Sequence, residues 1–115
     1  MIFIIDDDLI MAECIARACG DETKIFADAI EAMQTIASGE IPEMIFLDIL
    51  LSGPDGFTFL NELISYDDTK KIPVVLVSSL DYRGVDFSEY GVVGYLNKDT
   101  MLPQEIKNYV EQYIK

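Results

Sequence analysis

The chain has 115 residues, with 21 acidic against eight basic side chains, a formal net charge of −13 and no histidine. That length makes one domain able to bury roughly 65% of its unfolded surface, and half the residues are apolar, which excludes a disordered chain. The charge repels nucleic acid and anionic membranes and suits a cationic partner or divalent cations; the missing histidine excludes His-based metal sites and Ser-His or Cys-His catalysis.

Residues 2–5 form a β-rich apolar run that ends at Asp6-Asp7-Asp8. The N-terminus lacks the basic start and longer apolar core of a signal peptide. No apolar run approaches the roughly 20 residues of a membrane span, so a cytoplasmic protein without membrane insertion is expected. From Leu9 to Cys19 the spacing turns helical, with Met11, Ala12, Ile15, Ala18 and Cys19 on one side, Asp8 as N-cap and Gly20 as stop. Cys14 and Cys19 do not stack on one helix face, and two buried, reduced cysteines are expected. Thr23 to Phe26 is a short strand. Asp28 precedes a helix from Ala29 to Ala37, with a stripe of Ile30, Met33, Ile36 and Ala37, ended by Ser38-Gly39.

Glu43 to Leu47 is a strand whose continuous apolar run, Met44-Ile45-Phe46-Leu47, leads straight into Asp48, followed by the loop Ser52-Gly53-Pro54-Asp55-Gly56. Phe57 to Tyr66 is helical, with Phe57, Leu60, Leu63 and Ile64 at helix spacing and Asp55 as cap. Pro73 to Val77 is a β-branched strand stopped by Ser78-Ser79. Leu80 to Tyr90 has poor apolar spacing and is interrupted by Gly84; a short or irregular helix is expected between Asp81 and Tyr90. Gly91 to Leu96 is a fifth strand. Pro103 to Ile114 closes the chain as an amphipathic helix with Ile106, Tyr109, Val110, Tyr113 and Ile114 inside. There are no repeats or linkers. Strand and helix alternate throughout, which predicts an α/β fold: a doubly wound, flavodoxin-like five-stranded parallel sheet of order 2-1-3-4-5 with helices on both faces.

Such a sheet binds ligands outside the carboxyl ends of its strands. Asp6-Asp7-Asp8, Asp48, Ser78-Ser79 and Asn97-Lys98 each follow one strand, so carboxylates, a hydroxyl and an ammonium converge on one rim. Taken singly each has a plain explanation. The three acids cap the next helix, Ser78 is a loop hydroxyl, and Lys98 is a surface amine. Together they suit phosphoryl chemistry. Clustered carboxylates raise each other's pKa unless a hard cation relieves them. One carboxylate is available as a nucleophile, and a lysine holds a phosphoryl oxygen as a point charge.

In this order and spacing, Asp6-Asp7, Asp48, Ser78 and Lys98 resemble the receiver domain of two-component response regulators, over essentially the whole chain. The resemblance implies that Asp48 is the phosphoacceptor. It implies a Mg2+ site made by Asp6, Asp7, Asp48 and the backbone carbonyl of Leu50. Ser78 and Lys98 would contact the phosphoryl group, and Ser78 and Tyr95 would form the switch. The implied partners are a sensor histidine kinase or histidine phosphotransfer protein and a downstream protein target, and an exposed face near Tyr90 to Tyr95 would allow a homodimer. The expectation is a single receiver domain over residues 1–115 with no output domain, acting as a phosphorylated signalling switch and not as an enzyme that turns over a separate substrate.

Three features depart from the family's usual pattern. Ser52 stands where proline is usual, Asp99 follows the lysine in place of proline and predicts a trans bond, and the stretch between Ser79 and Tyr95 is short. Leu50 and Leu80, each two residues beyond a site residue, are apolar and predict slow autodephosphorylation. Two other readings remain open here. Asp6-x-Asp8 after a strand is similar to the nucleophile motif of haloacid-dehalogenase-type phosphatases, and a vestigial receiver would act only as an interaction module.

Overall fold

The computed structural model describes residues 1–20, 22–49, 55–80 and 88–114. Strands β1 (Ile2–Ile5), β2 (Thr23–Phe26), β3 (Met44–Asp48), β4 (Val74–Ser78) and β5 (Val92–Asn97) form one parallel sheet of order β2-β1-β3-β4-β5. Helices α1 (Leu9–Cys19), α2 (Ala29–Ala37), α3 (Asp55–Ile64) and α4 (Pro103–Tyr113) connect and cover it, with a 3-10 turn at Ser88–Tyr90. The predicted fold class and strand order hold.

Strand alternation divides the core into two layers. Phe3, Ile5, Ile45, Leu47, Val74 and Leu76 pack with α2 and α3. Ile2, Ile4, Met44, Phe46, Val75 and Val77 pack with α1 and α4. A strand whose neighbouring side chains enter opposite cores must be apolar at every position, which is why these three strands read as continuous runs.

The helix boundaries follow local chemistry. Asp8 accepts a hydrogen bond from Met11 N (3.2 Å) at the start of α1, and Gly20 ends that helix in the left-handed region at φ 65°. Asp28 accepts from Glu31 N at 2.8 Å and caps α2. Pro103 opens α4, and the Glu105 carboxylate accepts from Leu102 N at 2.7 Å. α3 begins at Asp55; the capping role expected of that side chain lies outside the described residues.

Several inward faces differ from expectation. On α2 the buried residues are Ala29, Ala32 and Ile36, while Ile30 is 61% exposed and Ala37 is also exposed. On α3, Phe59 is buried beside Leu60 and Leu63, and Phe57 is exposed. Both helices carry apolar residues on either side of the true stripe, so periodicity alone admits two rotations about the helix axis. On α2, alanine against the sheet leaves the bulkier isoleucine outside. Tyr113 is exposed where α4 ends. Neither cysteine is in a disulfide, and only Cys19 is buried. Cys14 lies on the outer face of α1, since a five-residue offset turns it well away from Cys19. The irregular helix expected within residues 81–87 lies outside the described residues.

One glycine is required by packing. The β4–β5 register slips by one residue between Val74 and Val75, so that Val75 pairs with Gly94. A Cβ on Gly94 would lie 2.3 Å from the Tyr109 ring. The glycine leaves room for that ring against β5.

Candidate functional site

The sheet register assembles the acids. Ile5 pairs with Leu47, so Asp6 leaves β1 beside Asp48 at the end of β3. Alternation continues past Ile4, Phe46 and Leu96, all on the α1–α4 side, to Asp6, Asp48 and Lys98. These three share a row although 92 residues separate the outer two. Lys98 follows β5, so its ammonium must cross β4 to reach β3, roughly 10 Å at ordinary strand spacing. A four-carbon stem makes that crossing feasible.

Lys98 Nζ lies 2.9 Å from Asp48 Oδ2, and 3.1 and 2.9 Å from Asp6 Oδ1 and Oδ2. Its side chain is 14% exposed and those of Asp6 and Asp48 are nearly buried. Asp6 Oδ1 also accepts from Asp8 N at 2.9 Å. Burial pushes the Asp6 carboxyl above its ordinary pKa; the Asp8 amide and the ammonium oppose that push without cancelling it. Burial alone would lower the Lys98 pKa, but the hydrogen bonds it donates to Asp48 and Asp6 outweigh that and leave the ammonium above its usual value.

Asp7 is exposed at the same rim, and one oxygen from each of Asp6, Asp7 and Asp48 falls within 4.8 Å of the others. Asp6 Oδ2 is buried and receives no directed hydrogen bond among the described residues; the ammonium at 2.9 Å approaches it off-axis. A buried carboxylate oxygen with charge nearby but no donor suits a hard cation. All-oxygen donors and an exposed third carboxylate fit Mg2+, which retains water ligands. The Leu50 carbonyl, expected as a further ligand, lies outside the described residues, as do Ser52 and Pro54.

Ser78 and Tyr95 belong to a second group. Ser78 continues the row of Val74 and Leu76 on the α2–α3 side, and Tyr95 is half-buried against that same core. Ser78 is fully buried and its hydroxyl accepts from Leu80 N at 3.1 Å. Its carbonyl accepts from Lys98 N at 3.0 Å and from the Tyr95 hydroxyl at 3.3 Å, and that hydroxyl also reaches the Leu80 carbonyl. Ser78 therefore touches the acid–lysine cluster through backbone, while its own hydroxyl is turned to the following loop.

Sequence reasoning passed over Asn97. Its side-chain oxygen accepts from Asp99 N at 2.8 Å, and its carbonyl accepts from Thr100 N and Met101 N at 3.2 and 2.8 Å. This turn holds the backbone on both sides of Lys98, and the Lys98–Asp99 bond is trans, as expected. The available signal was an asparagine at a strand end, the residue that closes such turns with its own side chain.

Comparison with known proteins agrees with this geometry. The family model for the response regulator receiver domain matches residues 2–111. The response regulator PleD of Caulobacter vibrioides is 36% identical over 78 residues, covering 64% of this chain and 17% of PleD. A protein-glutamate methylesterase/protein-glutamine glutaminase of Pseudomonas savastanoi is 31% identical over 108 residues, covering 86% of this chain and 29% of that protein. The chain thus spans less than a third of the length of these curated relatives. Among solved structures, the receiver domain of NtrX from Brucella abortus superposes with a TM-score of 0.83 at 25% identity, covering 99% of this chain and 98% of that one. The phosphorylated cyanobacterial phytochrome response regulator RcpA superposes with a TM-score of 0.81 at 27% identity, covering 99% and 93%. These matches favour neither the phosphatase reading nor its nucleophile at Asp6. Among the described residues no helix is long and apolar enough to cross a membrane. The acid–lysine rim, the strand order and the match over nearly all of its length identify the chain as a member of the response regulator receiver domain family of two-component signalling.

Proposed function

We propose that Asp48 accepts a phosphoryl group from a phosphohistidine on a sensor kinase or histidine phosphotransfer protein, and that the chain works as a single receiver domain without turnover of a separate substrate. The observation that carries this reading is the Lys98 ammonium bridging Asp48 and Asp6 at the strand ends, with Asp7 beside them. In the transfer, an Asp48 carboxylate oxygen forms a bond to phosphorus as the P–N bond breaks. The imidazole leaves with the bonding pair and takes a proton from solvent. Asp6, Asp7 and Asp48, with the Leu50 carbonyl, would hold Mg2+, which supplies positive charge to offset the clustered carboxylates and the phosphoryl oxygens. Lys98 releases part of its grip on the carboxylates to hold one phosphoryl oxygen, and Ser78 donates its hydroxyl to another.

Ser78 and Tyr95 carry the message outward. The Tyr95 hydroxyl already bonds the carbonyls of Ser78 and Leu80, so a displacement of Ser78 toward Asp48 is felt at β5. The switch is a shift between two packings biased by one new charge. Its reader is a downstream protein target at the face around β5, where a second copy would also dock.

The test is acetyl phosphate with Mg2+, followed by mapping of the labelled residue by mass spectrometry. Label at Asp48, lost in Asp48→Asn together with beryllofluoride binding, is expected. Label at Asp6 would move the nucleophile to strand β1 and restore the phosphatase reading. Absence of both label and any tyrosine-fluorescence response to millimolar Mg2+ would leave an interaction module.

A further inference from the structure

We propose that the groove between α2 and α3 is a docking site for a basic amphipathic helix of a partner protein. None of the residues lining the groove belongs to the acid–lysine rim, and the proposal does not depend on the role given to Asp48. It consists of two neighbouring hollows of about 360 and 570 Å³ that share Met33, Ala37 and Glu62 in their walls, together called the channel below.

The floor and lips are apolar for different reasons. The floor consists of core residues, Ala29, Ile36 and Phe59, which would be buried in any case. The lips are side chains that the fold leaves outside. Ile30 is 61% exposed, Tyr66 is 56% exposed and Ile41 is 38% exposed. Ile30, Met33 and Ala37 follow one another along α2 at three- and four-residue spacing. Periodicity assigns these residues to the core together with Ile36; the structure buries Ile36 with Ala29 and Ala32, leaves Met33 half-buried, and exposes Ile30 and Ala37. An apolar ridge at helix spacing beside a second helix is a seat for the apolar face of a third.

Charge selects the occupant. Among the described residues, the charged side chains lining the channel are Glu62, which borders both hollows, and Asp68, and none of the lining residues is basic. The chain as a whole carries −13. A second copy would bring the same charge and set one Glu62 near another, which disfavours self-pairing here. Nucleic acid is repelled outright. A helix with an apolar stripe flanked by lysine or arginine fills the hollows and pairs with Glu62, and its approach is favoured by the field of the whole domain.

The experiment is a titration of protein carrying labelled Ile, Met and Ala methyl groups with a synthetic amidated helix of leucine and lysine, against the same peptide with glutamate in place of lysine. Shifts at the Ile30, Met33 and Ala37 methyls are expected with the basic peptide only. Glu62→Lys should weaken binding about tenfold, whereas Glu111→Lys, the same charge change on the exposed side of α4, should alter it by less than about twofold. Both side chains are exposed, so neither substitution threatens folding. Equal weakening by the two variants, shifts centred on another face, equal binding of the acidic peptide, or no shift at millimolar peptide would each overturn the proposal. Concentration-dependent shifts of the same methyls in protein alone would overturn it in favour of a second copy.

Discussion

Replacing Lys98 by methionine tests whether the ammonium holds the acidic rim together. Methionine keeps much of the stem's bulk and removes the charge with the hydrogen bonds it donates. The ammonium faces Asp6 and Asp48 at 2.9 Å each and is 14% exposed. At an effective dielectric of about 20, each attraction at that distance is worth about 6 kcal/mol gross, offset in large part by desolvation of all three groups. Removing one partner of such a cluster costs about 3–5 kcal/mol because the remaining charges are left buried and uncompensated. The lower end applies here, since Asp7 opens the rim to water and Asp6 is already pushed toward its protonated form. A loss of about 3 kcal/mol at pH 7.5 in EDTA is expected, a drop in urea midpoint of about 2 M for a slope of about 1.5 kcal/mol/M.

The pH dependence has a definite sign. Asp6 has a raised folded-state pKa, so its ionisation opposes folding: the cost is fully present above the folded value and vanishes below the unfolded one, near 3.8. Without the ammonium the folded value rises further, and the variant regains stability as pH falls from 7.5 toward 5. Lys98 in the native protein is the opposite case. Its raised pKa contributes stability that is complete below 10.5 and is lost only as pH climbs through the folded value. The gap between native protein and variant therefore narrows in acid. Mg2+ at ten times its dissociation constant adds about 1.4 kcal/mol to whichever form binds it, and the variant, with more uncompensated charge, binds it more tightly. A midpoint shift under about 0.5 M at pH 7.5, or one of equal size at pH 5, would refute the reasoning.

Gly94→Ala should cost about 1–3 kcal/mol in urea unfolding, because its Cβ would sit inside the Tyr109 ring; made in a Tyr109→Ala background it should cost almost nothing, and a persistent cost would show that the ring is not the reason. Asn97→Ala removes the acceptor for Asp99 N and loosens the turn that aims Lys98. Phosphorylation by acetyl phosphate should slow about fivefold, the equivalent of one hydrogen bond of about 1 kcal/mol, with Mg2+ affinity unchanged and with Asn97→Asp retaining the rate. An unaffected rate in Asn97→Ala counts against it. Leu80, about half exposed at the rim, and Leu50 offer no group to orient a water molecule, so phosphorylated protein should lose its label over minutes or longer; a half-life of seconds in purified protein would contradict this.

What could be read without coordinates, and what could not, divides by the range of the forces involved. The strands were legible because burial on both faces leaves no polar position in Met44-Ile45-Phe46-Leu47 or Val74-Val75-Leu76-Val77. Caps were legible because Asp8 and Asp28 act on amides three residues away. The rotation of α2 was not, because Ile30 and Ala29 are equally apolar to a periodicity count and only the closeness of the sheet prefers alanine. The row shared by Asp6, Asp48 and Lys98 was legible as three strand ends but not as a grip. Its distances depend on register between strands far apart in sequence, and on the Asn97 turn.

The composition of the rim, that row with Asp7 beside it, bears on the proposed switch. Three carboxylates and one ammonium, counted as −3 and +1, leave a formal −2 at the rim, with Asp6 and Asp48 nearly buried. An apolar strand end placed beside another would be more stable, so the cluster is a cost that the two buried cores must carry. The same deficit makes the rim receptive to a divalent cation and resistant to a phosphoryl dianion arriving without one. Lys98 cannot serve both carboxylates and a phosphoryl group at full strength. Moving its ammonium toward the new oxygens weakens its hold on Asp6. Its backbone is fixed to the Ser78 carbonyl, which also receives the Tyr95 hydroxyl. In the proposed switch, charge added at Asp48 would be coupled to β4 and β5 through the two hydrogen bonds on the Ser78 carbonyl.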